Sequence, residues 1–560
     1  MPTFMASRRG DRVPVSSTEP PRRCEGLGRH RRWLFVVAVV ALLVEMAVAM
    51  VTTAVEQTPT IDEPVYAGTA VVYVQQHSLR YNPEHPPLGK LIIASGLVFA
   101  RPHLDADFQG DQTELGRRLL YESGNDPWRV MLWARLPVIV LTLLFGLVVL
   151  AFARELTGRA GGLVALALYA FSPDVIAHGS LATLDAPASG FLLTSVWLVW
   201  RARGRPLLHL LLAGAALGAA VATKMSTLPA VPVLLLLAVA SVWHGRGLGT
   251  AGKARLGAAA AAGMALAGIA VVWAAYLAVD PQLRWTAPAN LPAVHGLRGL
   301  LIDWLPFPQP YRDGMRVQYG FENTLWEGFL FGRLYHGSLW YYLPAALLVK
   351  TPLGMLALWL AGAVAMVAVR RLRPAVPYVL ILPAVLLGAA MQGSRDLGVR
   401  YALFVPVFLA VAAAGVVAFR WRWGPVAAAG LVLFAAVSSL RAYPYYLPYS
   451  NEVFGGPAKT HLRLHDSNVD WGQDLGRLAE RLERGYPDER VWLVYKGAGV
   501  PSYYGIEAAD PRVVPPGKVR GLLVVSDSAV AKAGGRLAEL LATSTPVDEV
   551  GHSITIYRRS

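Results

Sequence analysis

Cysteine is nearly absent from this 560-residue chain: Cys24 stands alone, which excludes an intramolecular disulfide and any cysteine-based metal site. Charge is scarce too. Only 16% of residues are Asp, Glu, Lys or Arg against 54% hydrophobic, and long apolar runs alternate with short arginine-rich breaks, which excludes a single soluble domain. What remains is a polytopic membrane protein. The net charge of +15 does not argue for nucleic acid, because the arginines fall in short clusters rather than on one compact face. No internal repeat is evident, and the one low-complexity stretch, the Ala/Gly-rich 256–268, fits close helix packing.

Eleven apolar stretches read as spans, within a range of ten to thirteen: near 33–53, 131–153, 161–176, 186–200, 207–222, 227–243, 256–279, 353–369, 375–391, 401–418 and 423–440. The basic segment 1–32 precedes the first, which reads as a retained helix rather than a cleaved signal. With the N-terminus in the cytoplasm, the short basic loops around Arg154, Arg201, Arg246, Arg370 and Arg420 all face in. Residues 54–130 carry ten acids against six bases and belong outside, as does the aromatic-rich 280–352. The expected organisation is a cytoplasmic tail (1–32), a transmembrane domain (33–440) and an extracytoplasmic α/β domain (441–560). Within the last, 472–484 has helical spacing, while 491–495, 521–525 and 553–557 read as strands. A cytoplasmic (inner) membrane location follows from this reading.

The acids and bases just past the first span invite chemistry. Asp62 and Glu63 lie about nine residues beyond it, where a carboxylate serves either as a general base or, before Pro64, as a helix cap. Both roles stay open, as they do for Asp185, which precedes Pro187. His85-Pro-Pro-Leu-Gly-Lys90 is a rigid turn delivering Lys90 to the start of an apolar helix, as a phosphate binder or as an interfacial anchor. Trp471 either stacks on a sugar ring or packs the tail against the membrane domain. Gly497-Ala-Gly499 is too short a signal for a nucleotide site.

Taken in order, several motifs resemble one family. They are Asp62-Glu63, Tyr66-Ala67, His85-Pro-Pro-Leu-Gly-Lys90, Ser172-Pro-Asp174, Thr183-Leu-Asp185, Ala222-Thr-Lys224, Trp340-Tyr-Tyr-Leu-Pro344, Lys350-Thr-Pro352, Gly398-Val-Arg-Tyr401 and Asp466-Ser-Asn-Val-Asp-Trp-Gly-Gln-Asp474. Over residues 33 to about 480 the chain resembles the bacterial members of the protein O-mannosyltransferase and lipid A aminoarabinose transferase family, membrane glycosyltransferases of the C fold type. The resemblance implies an inverting transfer from a polyprenyl-phosphate sugar to a protein, lipid or glycan acceptor, with membrane lipids but no nucleic acid as partners. It further implies Asp62 as acid-base residue, Glu63 and Asp185 as supporting acids, and Lys90, His85, Arg400 and Lys224 toward the lipid phosphate. Tyr66, Tyr335, His336, Trp340 and Trp471 are candidates to line the site. No cofactor is required, although acidic pairs allow a divalent metal. His85 stands where the aminoarabinose transferase has lysine, and the tail lacks the β-trefoil signature of eukaryotic mannosyltransferases, so the acceptor class stays open. A transporter or lipid flippase is the competing reading; it expects ionisable groups at mid-membrane rather than in the loops.

Overall fold

The computed structural model describes residues 23–243, 249–419 and 421–559; residues 1–22 of the basic tail, Arg246 and Arg420 lie outside the described residues. Each of the eleven apolar stretches lies mostly on helical backbone. Among the described residues, five helices are long and apolar enough to cross a membrane: His30–Glu56, Pro127–Ala170, Pro206–Thr223, Thr250–Val279 and Arg373–Ala390. A sixth is added if Tyr342–Lys350 and Leu353–Ala368, bent by 119° at a short break, count as one span. The shortfall from eleven is one of length and of merging. Asp185–Arg201 and Gly424–Leu440 have 17 residues and Ala230–Trp243 has 14, about 21 to 26 Å of helix against a hydrocarbon core of about 30 Å. Two expected spans fall largely in the single helix Pro127–Ala170, which breaks at Gly158 (φ 83°, ψ −172°). The chain is a multi-pass membrane protein. Its first helix exposes Trp33, Leu34, Val37 and Val40, surface that suits lipid rather than water.

Small residues let two helices pair closely. A Cβ at Gly218 would stand 2.4 Å from the Gly268 carbonyl oxygen, and one at Gly214 would stand 2.3 Å from that of Met264. Helices Pro206–Thr223 and Thr250–Val279 therefore touch backbone to backbone. Within residues 54–130, helices Glu63–Gln76, Pro87–Ala100 and Gln112–Arg117 build a second core through Ala67, Val71, Ile93, Leu97 and Leu115. The last of these helices starts with a capping box: Asp111 accepts from the Thr113 and Glu114 amides, and Glu114 accepts in return from the Asp111 amide.

Seven strands are present among the described residues. A hairpin pairs β1 (Glu327–Leu330) with β2 (Arg333–His336). The C-terminal region carries β3 (Val491–Val494), β4 (Ala508–Ala509), β5 (Gly521–Ser526), β6 (Thr545–Val550) and β7 (Ile554–Arg559) in one sheet of order β4-β3-β5-β7-β6. β3 runs parallel to β4 and β5, and β7 antiparallel to β5 and β6. Alternation along β5 buries both sheet faces. Leu522 and Val524 meet helix Leu475–Gly485 through Leu475, Leu478 and Leu482, while Leu523 and Val525 meet helix Gly535–Ala542 through Leu537 and Leu540.

Candidate active site

Pro64 sits in the first turn of helix Glu63–Gln76, so the chain turns into that helix directly after Asp62. The two acids then part. Glu63 is fully buried: its carboxylate accepts from both Thr60 donors (amide 2.9 Å, hydroxyl 3.0 Å), the Ala182 amide (2.7 Å) and the Arg135 guanidinium, twice at 2.7 Å. Burial pushes Glu63 up, but Arg135 and these amides outweigh it and hold the carboxyl below its usual range. Arg135 spends its remaining donors on the carbonyls of Ala54, Gln57 and Thr58. Glu63 is thus the bolt joining the first loop to helix Pro127–Ala170 and to residue 182, not a group open to a substrate. Arg135 escaped the sequence reading; a lone arginine inside an apolar run was its signal.

Lys90 also departs from expectation. Its ammonium is buried and donates to the Asn82 carbonyl (2.8 Å), the Asn82 side chain (3.0 Å) and the His85 carbonyl (2.7 Å), which uses all three donors. Burial pulls it down to about 7. The two prolines of the turn carry Lys90 back beneath residues 82–85, where it fixes the turn and does not line the cavity.

That cavity, about 1380 Å³ in volume, is where the other polar candidates meet. Asp62 lines it, makes no capping hydrogen bond, and pairs with Arg400 at 2.5 Å. Asp185 and Lys224, also on its wall, pair with each other; Asp185 makes no cap either. Arg400 lies 4.3 Å from the Trp471 ring centre and 5.2 Å from that of Tyr401, with Lys224 over the other partner of that cluster, Tyr401, at 5.3 Å. Tyr66 meets His85 edge to face at 5.7 Å. His85 Nδ1 is buried without a partner, and burial, reinforced by Lys224 and Lys90, holds its imidazole well below the usual range, so the ring is neutral rather than a cation for phosphate. Away from this polar end, Leu217, Val221, Met264, Ile269, Val272 and Leu301 give the cavity an apolar wall.

The tail closes one side. The Thr58 amide donates to the Gln473 carbonyl (2.9 Å) and the Ile61 amide to that of Trp471 (3.0 Å), laying residues 471–473 along the strand of chain that leads to Asp62. Gly398 positions Arg400: at φ 151° a Cβ there would stand 2.1 Å from the Ser467 hydroxyl. Tyr335, His336 and Trp340 are not brought to the cavity. Tyr335 donates to Asp396 (2.7 Å), His336 is exposed on β2, and Trp340 is 67% exposed, as in an interfacial belt. Several lining residues had no sequence signal of their own: Glu84, with Asn82 and Gln112 donating to it, Arg395, Lys496 and Lys532. Among the described residues no group of three or more His, Cys, Asp or Glu side chains is placed to hold a metal ion.

With this geometry in hand, residues 39–281 match the family model of dolichyl-phosphate-mannose-protein mannosyltransferases. Residues 39–281 are thus similar to a glycosyltransferase family. The match takes in Asp62, His85, Lys90, Asp185 and Lys224 but stops short of Arg400 and Trp471, which complete the same cavity. Among solved structures, the chain is similar to ArnT from Cupriavidus metallidurans in the apo state, at 17% identity over 95% of this chain and 98% of that one (TM-score 0.47). A chain of the S. cerevisiae protein O-mannosyltransferase Pmt1-Pmt2 complex bound to the sugar donor is 19% identical over 46% of this chain and 35% of its own length (TM-score 0.37). The Archaeoglobus fulgidus oligosaccharyltransferase in the apo form is 13% identical over 80% of this chain and 58% of its own (TM-score 0.45). A comparison with curated proteins gives no match.

Proposed function

We propose that this chain transfers a sugar, with inversion, from a polyprenyl-phosphate donor to an acceptor on the outer face of the cytoplasmic membrane. Asp62 carries the reading: a carboxylate that does not cap the helix it precedes, lines a large cavity, and is paired there with Arg400. As general base, Asp62 takes the proton of the acceptor hydroxyl or amine while the acceptor heteroatom bonds to the anomeric carbon. The bond from that carbon to the phosphate oxygen breaks, and polyprenyl phosphate leaves with the electron pair. Arg400 and Lys224, now paired with Asp62 and Asp185, are the charges that stabilise the leaving phosphate. This moves the phosphate-binding role away from Lys90 and His85, which shape the turn beside it. The apolar wall between helices Pro206–Thr223 and Thr250–Val279 suits the polyprenyl chain, entering sideways from the bilayer. The acid-rich 54–130 and the domain 441–560 are then extracytoplasmic, the N-terminus cytoplasmic, and the acceptor a protein, lipid or glycan.

The test is transfer from polyprenyl-phosphate mannose by membranes carrying Asp62→Asn, with product read by mass. Loss of about 10²- to 10⁴-fold is expected of a missing general base. Transfer at the unmodified rate would refute the mechanism.

A further inference from the structure

The charges around the cavity do not cancel. Asp62 meets Arg400, Asp185 meets Lys224, Asp466 meets Lys496, and Glu322 meets Arg395 at 3.6 Å. Glu84 is held by Asn82 and Gln112. Two lining cations remain. Arg298, on the exposed helix Gly296–Trp304, lies 5.4 Å from the Tyr319 ring centre. The ammonium of Lys532, between helices Asp527–Ala531 and Gly535–Ala542 of the C-terminal region, has no ion-pair or hydrogen-bond partner among the described residues.

Lys532 is not a stray surface lysine. Burial and the nearby Lys496 ammonium pull it below the usual range, with Asp466 and Glu327 opposing. Asp466 itself is placed with some force. Its backbone is left-handed (φ 55°), its amide donates to Ser528 Oγ (2.8 Å), and its carboxylate accepts from the Ser467 amide (2.8 Å) and from Lys496. Burial pushes that carboxyl up, but Lys496 and, more weakly, Arg400 hold it down at about 2. Among the residues lining the tail end of the cavity, two lysines thus share one carboxylate, with Glu327 acting on Lys532 from outside that lining.

We propose that Lys532 and Lys496 form an anion subsite, supplied by the C-terminal domain, for a phosphate or carboxylate borne by the acceptor. Its assignment to the acceptor rests on the transferase reading; the existence of the subsite does not. A polyprenyl-phosphate donor has one obligatory anion, the phosphate that leaves the anomeric carbon. That phosphate must lie at the reacting centre, with Arg400 and Lys224 beside Asp62 and Asp185. The second cationic pole lies beside Asp466, carried by the sheet domain rather than by the helices that offer the apolar wall.

The experiment uses the full chain in detergent, titrated with inorganic phosphate while saturated with polyprenyl phosphate, and separately with polyprenyl phosphate alone. Lys532→Gln is expected to weaken phosphate binding about tenfold, the loss of one charge-assisted contact, and Lys532→Arg to recover most of it. Affinity for polyprenyl phosphate should stay within about twofold in both variants. The proposal is overturned if the unmodified chain shows no saturable phosphate binding, or if Lys532→Gln leaves that binding unchanged. It is equally overturned if polyprenyl phosphate affinity falls in parallel, since the pole would then serve the donor. If the unmodified chain fails to bind polyprenyl phosphate at all, the transferase reading fails while the phosphate titration, run alone, still decides the subsite.

Discussion

Asp62 and Glu63 are adjacent carboxylates, each ion-paired with an arginine, yet one pair closes off and the other stays open. Glu63 and Arg135 are both essentially inaccessible, and every oxygen and guanidinium nitrogen is taken up by chain from four places. Asp62 keeps about a quarter of its side chain exposed and has Arg400 as its one ion-pair partner among the described residues, while the Arg400 Nε remains without a hydrogen bond there. The same chemical pairing therefore does two jobs: a saturated pair fixes geometry, and an unsaturated one is free to exchange partners with a ligand.

The largest expected effect falls on the open side, where Asp62→Asn removes transfer while leaving the thermal unfolding midpoint close to that of the unmodified chain. On the closed side the outcome reverses. Glu63→Gln leaves Arg135 buried and uncompensated, costing about 3–5 kcal/mol of stability, seen as lower yield and an earlier melt. Should Glu63→Gln instead melt normally and lose activity selectively, the division between the two acids is wrong. A smaller effect is expected at the turn. Lys90→Met strips three carbonyl or amide acceptors of their donor, at about 1–3 kcal/mol, but polyprenyl phosphate affinity should hold. Loss of that affinity without a change in melting would return Lys90 to phosphate binding.

A further effect concerns pH. Asp470, buried where the tail meets the sheet, has its carboxyl raised from 3.8 to about 7, chiefly by burial. Between those values the folded protein holds a proton that the unfolded chain has released, so this group's contribution to stability declines as pH rises. Asp470→Asn should flatten the fall in melting temperature from about pH 4 to pH 8, read by scanning fluorimetry. An unchanged slope would mean that Asp470 is ionised in the fold.

The helices were legible because apolar runs leave little else for the backbone to do, and the stretches read as strands near 491, 521 and 553 lie in the C-terminal sheet. The meeting of Asp62, Asp185, Lys224, Arg400, Tyr66, His85 and Trp471 around one cavity follows the order of their motifs along the chain. Depth was not legible. Nothing in the one-dimensional pattern separates Asp62 from Glu63, or reveals that two prolines turn Lys90 inward. Lys496 and Lys532 were silent because their place depends on how the tail docks, a contact between residues hundreds of positions apart.

That docking bears on when the protein becomes competent. Thr58 donates its hydroxyl to the Gly472 carbonyl across 414 residues of sequence, so the wall beside Asp62 does not exist until the tail segment has been made. At ordinary synthesis rates the first loop waits roughly 20 to 80 seconds for that partner. Of the two residues that flank Asp62 in the finished site, Arg400 is made within this interval and Trp471 only at its end. The wall beside Asp62 is therefore completed late, by a segment that follows the first loop by 414 residues.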